Sequence, residues 1–119
     1  MTPFQYKSGV LHADGVSLAS MADAVGTPFY CYSETAIVGQ FDAYISAFAG
    51  QDIRVCYAMK ANDNLAVLRA LADRGAGTDV VSGGELKKAL VAGIPADRII
   101  FSGVGKTQDE LAQALDAGI

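Results

Sequence analysis

The chain has 119 residues, of which 51% are hydrophobic, and this composition excludes a disordered tail and is typical of a folded domain. Nine basic residues against thirteen acidic ones give a formal net charge of -4, and the basic residues are scattered, so nucleic acid is not an expected partner. No apolar run approaches the roughly 18 residues of a membrane span, and the first residues lack the layout of a secretory signal, so no membrane partner is expected.

The cysteine and histidine content limits the chemistry further. Cys31 and Cys56 lie 25 residues apart, and His12 is the single histidine. This spacing predicts neither a disulfide framework nor a metal site, so we expect no metal and a reducing, cytoplasmic location. One histidine at position 12 also offers no Ser-His-Asp or Cys-His set.

The amino-terminal third predicts short elements. Residues 1–16 are expected to form short extended pieces joined by turns, and Ser17 is expected to cap a helix that ends at Gly26. The aromatic run 29–32 predicts a strand. Ser33 is expected to cap the next helix, on which an apolar stripe is formed by Ile37, Phe41, Ile45 and Phe48.

From residue 53 onwards, strands alternate with helices. The predicted strands are 53–60, 78–82 and 98–102, and the predicted helices are 64–74, 83–92 and 108–117. Two helix starts carry the capping-box pattern, Ser82 with Glu85 and Thr107 with Glu110. Strands separated by single helices predict parallel pairing, so the fold class is α/β.

An internal repeat concerns the last two helices. The pattern of residues 85–94 recurs as residues 110–119, and the simpler explanation is that two helices packing on one sheet need similar faces. After Gly93 the chain continues into a strand, whereas after Gly118 it stops. Three parallel strands do not close a barrel, which takes eight strands and roughly 250 residues. A small open sheet is the alternative, but it would expose an apolar edge, so we expect a piece of a longer chain.

Lys60 is the first candidate for chemistry. Alternation along the predicted strand places Cys56, Ala58 and Lys60 on one face and bulky side chains on the other. Lys60 then ends the strand, where active sites of such folds lie, and two small neighbours leave room for a ligand. An amine suits carbonyl chemistry when burial or nearby positive charge favours its neutral form. The alternative is a lysine that extends from a strand end into solvent.

Asp79 and the segment 102–107 are the other candidates. Aspartate is a poor strand former, so Asp79 either faces Lys60 from a neighbouring strand or lies at a solvated strand entry. The segment 102–107 opens a helix after a strand, but the Walker pattern needs glycine at position 100, where Ile100 stands. Nucleotide binding is therefore a minor alternative, and Ser102 is a weaker candidate for contact with a cofactor.

The segment Tyr57-Ala58-Met59-Lys60-Ala61-Asn62 resembles the lysine motif of the barrel-type pyridoxal-phosphate decarboxylases of basic amino acids. The likeness continues in residues 64–68, 77–86 and 99–107, and it extends back through 26–32 to 11–16, so it covers nearly the whole chain. The lysine motif alone is moderately specific, whereas the set in this order is strongly so.

The resemblance implies roles for four residues. Lys60 would be the Schiff-base lysine of pyridoxal 5'-phosphate, and Asp79 would lie near the imine and the pyridine ring. Ala58 would line the cofactor bed, with Ser102 as a less certain contact. Residues 1–34 would belong to a β-rich second domain, and residues 35–119 would form the first units of a parallel (β/α)8 barrel, as in TIM-type folds.

The resemblance also implies an activity. The most similar members decarboxylate meso-2,6-diaminopimelate to L-lysine and form homodimers at full length. In that family the residues for the phosphate, the pyridine nitrogen and the substrate lie beyond position 119, so this piece alone is expected to be inactive. An amino-acid racemase and a non-catalytic pyridoxal-phosphate-binding homologue of the same barrel family are the alternatives.

Overall fold

Antiparallel pairing organises the amino-terminal residues of the computed structural model, which describes residues 2–119. Strands β1 (Phe4–Lys7), β2 (Val10–Ala13) and β3 (Val16–Ser17) pair in the order β1-β2-β3. Two-residue turns join them, and all four turn residues have positive φ, from 46° to 88°. Such turns match the twist of a hairpin, and glycine is the second residue of each. The predicted extended pieces are confirmed.

Two helices follow with the predicted caps. Helix α1 (Leu18–Val25) begins where the Ser17 hydroxyl accepts a hydrogen bond from the backbone of Ser20. Helix α2 (Glu34–Ala47) begins where Ser33 Oγ accepts from the backbone N–H of Ala36 at 3.0 Å. Ser33 Oγ in turn donates to Asp14 Oδ1 at 2.7 Å, and this hydrogen bond is the main cause that lowers the pKa of Asp14.

Two predictions for this region are wrong. Residues 29–32 form no strand, because a strand needs a hydrogen-bonded neighbour and none of residues 2–119 supplies one. Tyr30 is 89% exposed, and its ring stacks on that of Tyr32 at 6.4 Å. The apolar stripe of α2 is buried only at Phe41, whereas Ile45 and Phe48 are more than 40% exposed.

The α/β alternation of the remaining chain is confirmed. Strands β4 (Cys56–Ala58), β5 (Gly77–Val80) and β6 (Ile99–Phe101) pair in parallel in the order β4-β5-β6. Single helices stand after each strand: α3 (Leu65–Ala72), α4 (Gly83–Val91) and α5 (Gln108–Asp116). The chain divides into two compact units, one up to Gln40 and the other Phe41–Ile119.

One face of the parallel sheet carries the core of the second unit. Side chains of the sheet and the following turn pack against the helices in a cluster that includes Met59, Leu68, Val80, Leu86, Ala89, Ile99 and Ala114. The opposite face bears Ile100, which is 51% exposed. The helices therefore cover one side of the sheet, and the side chains of the other side remain accessible.

The internal repeat produces two equal helix ends. The N–H of Ile94 donates to the carbonyl of Ala89 at 3.1 Å, and the N–H of Ile119 donates to that of Ala114 at 3.0 Å. Gly93 and Gly118 precede these residues with φ of 91° and 86°, a conformation that favours glycine. The repeated sequence pattern thus ends α4 and α5 with the same backbone conformation and hydrogen bond.

The two capping boxes differ. The box of Thr107 and Glu110 is complete, and Glu110 Oε1 also accepts from the backbone N–H of Gly83 at 2.8 Å, at the start of α4. At Ser82 the hydroxyl caps α4 as predicted, but the Glu85 carboxylate accepts from Val81 instead of the Ser82 backbone. The reason is that Val81 is the first residue beyond the end of β5, and its N–H needs an acceptor.

Glu110→Gln should destabilise the second unit. Hydrogen bonds from the backbone of Thr107 and Gly83 lower the pKa of Glu110 below its usual 4.5. The ionised carboxylate therefore stabilises the fold above that pH, and this contribution disappears as the pH falls through the lowered value. We expect the urea midpoint at pH 7 to fall and its decline below pH 4.5 to flatten. Asp109→Asn, in the same helical turn, is the control, and equal midpoints for the two variants would contradict the role of Glu110.

Gly77→Ala should also destabilise the sheet. A Cβ at Gly77 would lie 2.5 Å from the carbonyl oxygen of Arg98 and 2.8 Å from Cys56 Sγ, so it would press neighbouring strands apart. The expected loss is about 1–3 kcal/mol in the free energy of unfolding, measured by urea denaturation. Gly39→Ala, in open space on α2, should instead gain about 0.5–1 kcal/mol. An unchanged free energy of unfolding in Gly77→Ala would contradict this expectation, because it would show that the strands tolerate separation.

Candidate active site

The position of Lys60 differs from the prediction. Strand β4 ends at Ala58, and Lys60 lies in a 3-10 turn, Met59–Ala61. The prediction of a strand over 53–60 that ends at Lys60 is therefore wrong. The physical reason is that the chain turns where the Tyr57 hydroxyl donates to the carbonyl oxygen of Asn62, so the ladder with β5 ends at the pair Ala58 and Asp79. Lys60 thus stands just beyond the carboxyl end of β4.

Hydrogen bonds around Tyr57 hold this turn. Thr78 Oγ1 donates to the carbonyl oxygen of Tyr57 at 2.8 Å, and the Tyr57 hydroxyl donates to the carbonyl oxygen of Asn62 at 3.2 Å. The second bond closes the turn around Lys60 from both sides. The sequence does not predict this arrangement, because the Asn62 acceptor is a backbone carbonyl that any residue would supply.

The Lys60 side chain is exposed rather than partly buried. Its amine has no hydrogen bond or ion pair with any of residues 2–119, whereas Lys88 pairs with Asp63 and Lys106 donates to the carbonyl of Gly103. Among residues 2–119, Lys60 therefore matches the alternative of a lysine that extends from a strand end into solvent.

Strand register brings three predicted site residues together. Ala58 is aligned with Asp79, so the expectation that their strands are neighbours is confirmed. Ser102 follows β6, its N–H donates to the carbonyl of Val80 at 2.9 Å, and its hydroxyl donates to Asp79 Oδ1 at 2.5 Å. Ala58, Asp79 and Ser102 therefore meet at the carboxyl end of the sheet, and Lys60 lies two residues after Ala58.

Small side chains line the accessible face near this end. Alternation places Cys56 and Ala58 opposite Tyr57 and Met59, and Gly77 is aligned with Cys56. Burial raises the pKa of the Cys56 thiol, the Arg54 charge opposes this, and the Asp79 charge adds to it. Cys56 is therefore a neutral thiol on this face, and it, Ala58 and Gly77 are all small residues.

The segment 102–107 is unsuited to phosphate. The Glu110 carboxylate occupies the helix entry, where it accepts from the backbone N–H of Thr107 at 2.9 Å. The Lys106 ammonium faces the Gly103 carbonyl and lies 5.4 Å from the centroid of the Phe101 ring. A carboxylate at this position repels anions, so the geometry argues against the nucleotide-binding alternative.

Other parts of the described chain offer less chemistry. Across residues 2–119, no three His, Cys, Asp or Glu side chains are grouped to hold a metal ion, and no helix has the length and apolarity for crossing a bilayer. A cavity of about 510 Å³ lies near the amino-terminal ends of the strands, lined in part by Val55, Gly75 and Arg98. It is at the far end of the sheet from Lys60.

Comparison with known proteins supplies an independent line of evidence. Residues 34–119 match the family model described as pyridoxal-dependent decarboxylase, pyridoxal binding domain. A diaminopimelate decarboxylase of Pseudomonas fluorescens is 49% identical over 119 residues, which are 100% of this chain and 29% of that protein. One of Aquifex aeolicus is 49% identical over 115 residues, 97% of this chain and 27% of that protein.

Solved structures are similar as well. The crystal structure of diaminopimelate decarboxylase from M. jannaschii with L-lysine superimposes with a TM-score of 0.93 at 40% identity, over 99% of this chain and 29% of that one. The chain thus spans less than a third of the length of the relatives that it matches.

Tyr57→Phe should loosen the turn that carries Lys60. Loss of the hydrogen bond to Asn62 is expected to cost about 0.5–1.5 kcal/mol of stability and to speed amide hydrogen exchange around residues 59–62. Tyr44→Phe removes an equivalent hydroxyl from an exposed ring and serves as the control. If exchange in the turn is unchanged in Tyr57→Phe, the hydroxyl does not hold it.

Proposed function

This chain belongs to the pyridoxal-dependent decarboxylases, and from that membership we propose that it forms part of an enzyme that decarboxylates meso-2,6-diaminopimelate to L-lysine. The observation that carries the proposal is the position of Lys60 just past the carboxyl end of a parallel strand, with Ala58 aligned beside Asp79 two residues earlier. The diaminopimelate decarboxylases similar to this chain support the substrate.

The architecture proposed for the whole protein is a parallel (β/α)8 barrel. The sheet β4-β5-β6 with single intervening helices supports this, because it is the repeating unit of such a barrel. Residues 35–119 would then be the first units of the barrel, and residues 1–34 would belong to a β-rich second domain. The accessible face of the sheet would become the barrel interior.

The residues at the carboxyl end of the sheet fit pyridoxal 5'-phosphate. Lys60 would hold the cofactor through Nζ, with loss of water from its carbonyl group, and Ala58 would lie beside the ring on the accessible face. Asp79 would place a carboxylate near the bonded nitrogen. Ser102 stands next to that carboxylate through the 2.5 Å hydrogen bond to Oδ1. An amine, small side chains and one carboxylate are groups suited to this cofactor.

Bound pyridoxal phosphate supplies an electron sink for the carbanion that remains when carbon dioxide leaves an amino acid. The role of the protein would be to hold the cofactor and to let the amine bound to it exchange. Lys60, on the short turn Met59–Ala61, would hold the cofactor and would give up that place to the substrate amine. Asp79 would stabilise a proton on the Lys60 nitrogen, because a nearby carboxylate favours the charged form of an amine or imine.

The assembly and location belong to the same proposal. By likeness to the family, we propose a homodimer that binds a small amino-acid substrate in the cytoplasm. The two cysteines, Cys31 and Cys56, are both free thiols, which fits a reducing compartment.

Borohydride reduction of the full-length protein loaded with pyridoxal phosphate should label Lys60. Mass spectrometry of the peptides is expected to place the reduced adduct on that residue, and Lys60→Arg should abolish it, because a guanidinium forms no such bond. Lys87→Arg, another exposed lysine without a partner among residues 2–119, is the matched control and should keep the label. A label elsewhere, or none, would refute the assignment.

Product analysis distinguishes the reaction class. Full-length protein supplied with meso-diaminopimelate and cofactor should release carbon dioxide and L-lysine. Racemised substrate without carbon dioxide would indicate an amino-acid racemase, and a Lys60 adduct without turnover would indicate a non-catalytic cofactor-binding homologue.

A further inference from the structure

We infer that Ser102 is a positioning residue, which acts on the cofactor site through Asp79 and not by contact with the cofactor. The inference rests on the proposed role of Lys60. It starts from the hydrogen bond in which Ser102 Oγ donates to Asp79 Oδ1 at 2.5 Å. A hydroxyl that donates to an ionised oxygen makes a stronger hydrogen bond than one between neutral groups.

The backbone of Ser102 is itself fixed. Strand β6 ends at Phe101, but the N–H of Ser102 still donates to the carbonyl of Val80 at 2.9 Å, so the residue continues the ladder with β5. Ser102 also stands two residues after Ile100, which is aligned with Asp79, and it therefore shares the face of that carboxylate. The hydroxyl thus reaches Asp79 from a rigid neighbouring strand.

The hydrogen bond determines how Asp79 presents its charge. Rotation about the terminal bond of an aspartate is soft, and a single anchored oxygen removes that freedom. Oδ1 is engaged by Ser102, whereas Oδ2 has no hydrogen-bond partner among residues 2–119. One oxygen of the carboxylate is therefore held by the sheet and the other remains free for a group on the accessible face.

Alignment beside Ala58 places Asp79 close to the turn that carries Lys60. Ala58 precedes the lysine by two residues, and the turn that carries Lys60 contacts β5. A carboxylate held in one orientation stabilises a protonated nitrogen better than one that rotates, since the attraction needs no reorganisation. Loss of Ser102 should thus weaken the effect of Asp79 without removing its charge.

The test is the pH dependence of the visible absorbance of the full-length protein loaded with pyridoxal phosphate. We expect Ser102→Ala to move the absorbance transition by about one pH unit towards lower pH, a roughly tenfold loss in proton affinity. Ser102→Thr keeps the hydroxyl and should restore the transition. Ser82→Ala removes another serine hydroxyl after a strand, one that only caps α4, and should alter stability but not the transition.

A double-mutant cycle assigns the effect to Asp79. Asp79→Asn should move the transition in the same direction, and Ser102→Ala should add nothing in the Asp79→Asn protein. Additive shifts, or no shift in Ser102→Ala, would overturn the inference while the Lys60 adduct persists. Absence of that adduct in the unaltered protein would overturn the proposed function, and the inference with it.

Discussion

The parallel register between β4 and β5 is the constraint on which the site depends. It aligns Ala58 with Asp79, and the adjoining register of β5 with β6 brings Ser102 within hydrogen-bond distance of the same carboxylate. A shift of one residue in either pairing would turn these side chains to the covered face. Gly77 enforces the close approach, because any Cβ there would collide with Cys56 and the backbone of Arg98.

The end of β4 is set by contacts that strand alternation does not record. Alternation along a longer strand would place Lys60 on the accessible face and Met59 in the core, and Met59 is fully buried. The chain nevertheless turns after Ala58, and Tyr57 closes the turn with its hydrogen bond to Asn62. For function, the consequence is that Lys60 lies on a short turn held by a hydrogen bond, close to β4 but outside its ladder with β5.

The helix termini of the second unit form a connected network that supports this end of the sheet. Glu110 joins the starts of α4 and α5 through Gly83 and Thr107, and Glu85 satisfies the amide that follows β5. These carboxylates occupy the helix entries that a nucleotide phosphate would need. The same groups that stabilise the helices thus restrict the chemistry available at this end to the amine and carboxylate of the accessible face.

Sequence patterns alone determined the alternation of strands and helices, the caps at Ser17, Ser33 and Thr107, and the choice of Lys60 and Asp79 as candidates. These are local properties, since periodicity, capping and the preference of glycine for positive φ act within a few residues. Only the tertiary structure decided where β4 ends, that residues 29–32 lack a strand partner, and that Ser102 binds Asp79. Each of these depends on residues distant in the chain: the end of the ladder between Ala58 and Asp79, a neighbouring strand, and the register between β5 and β6.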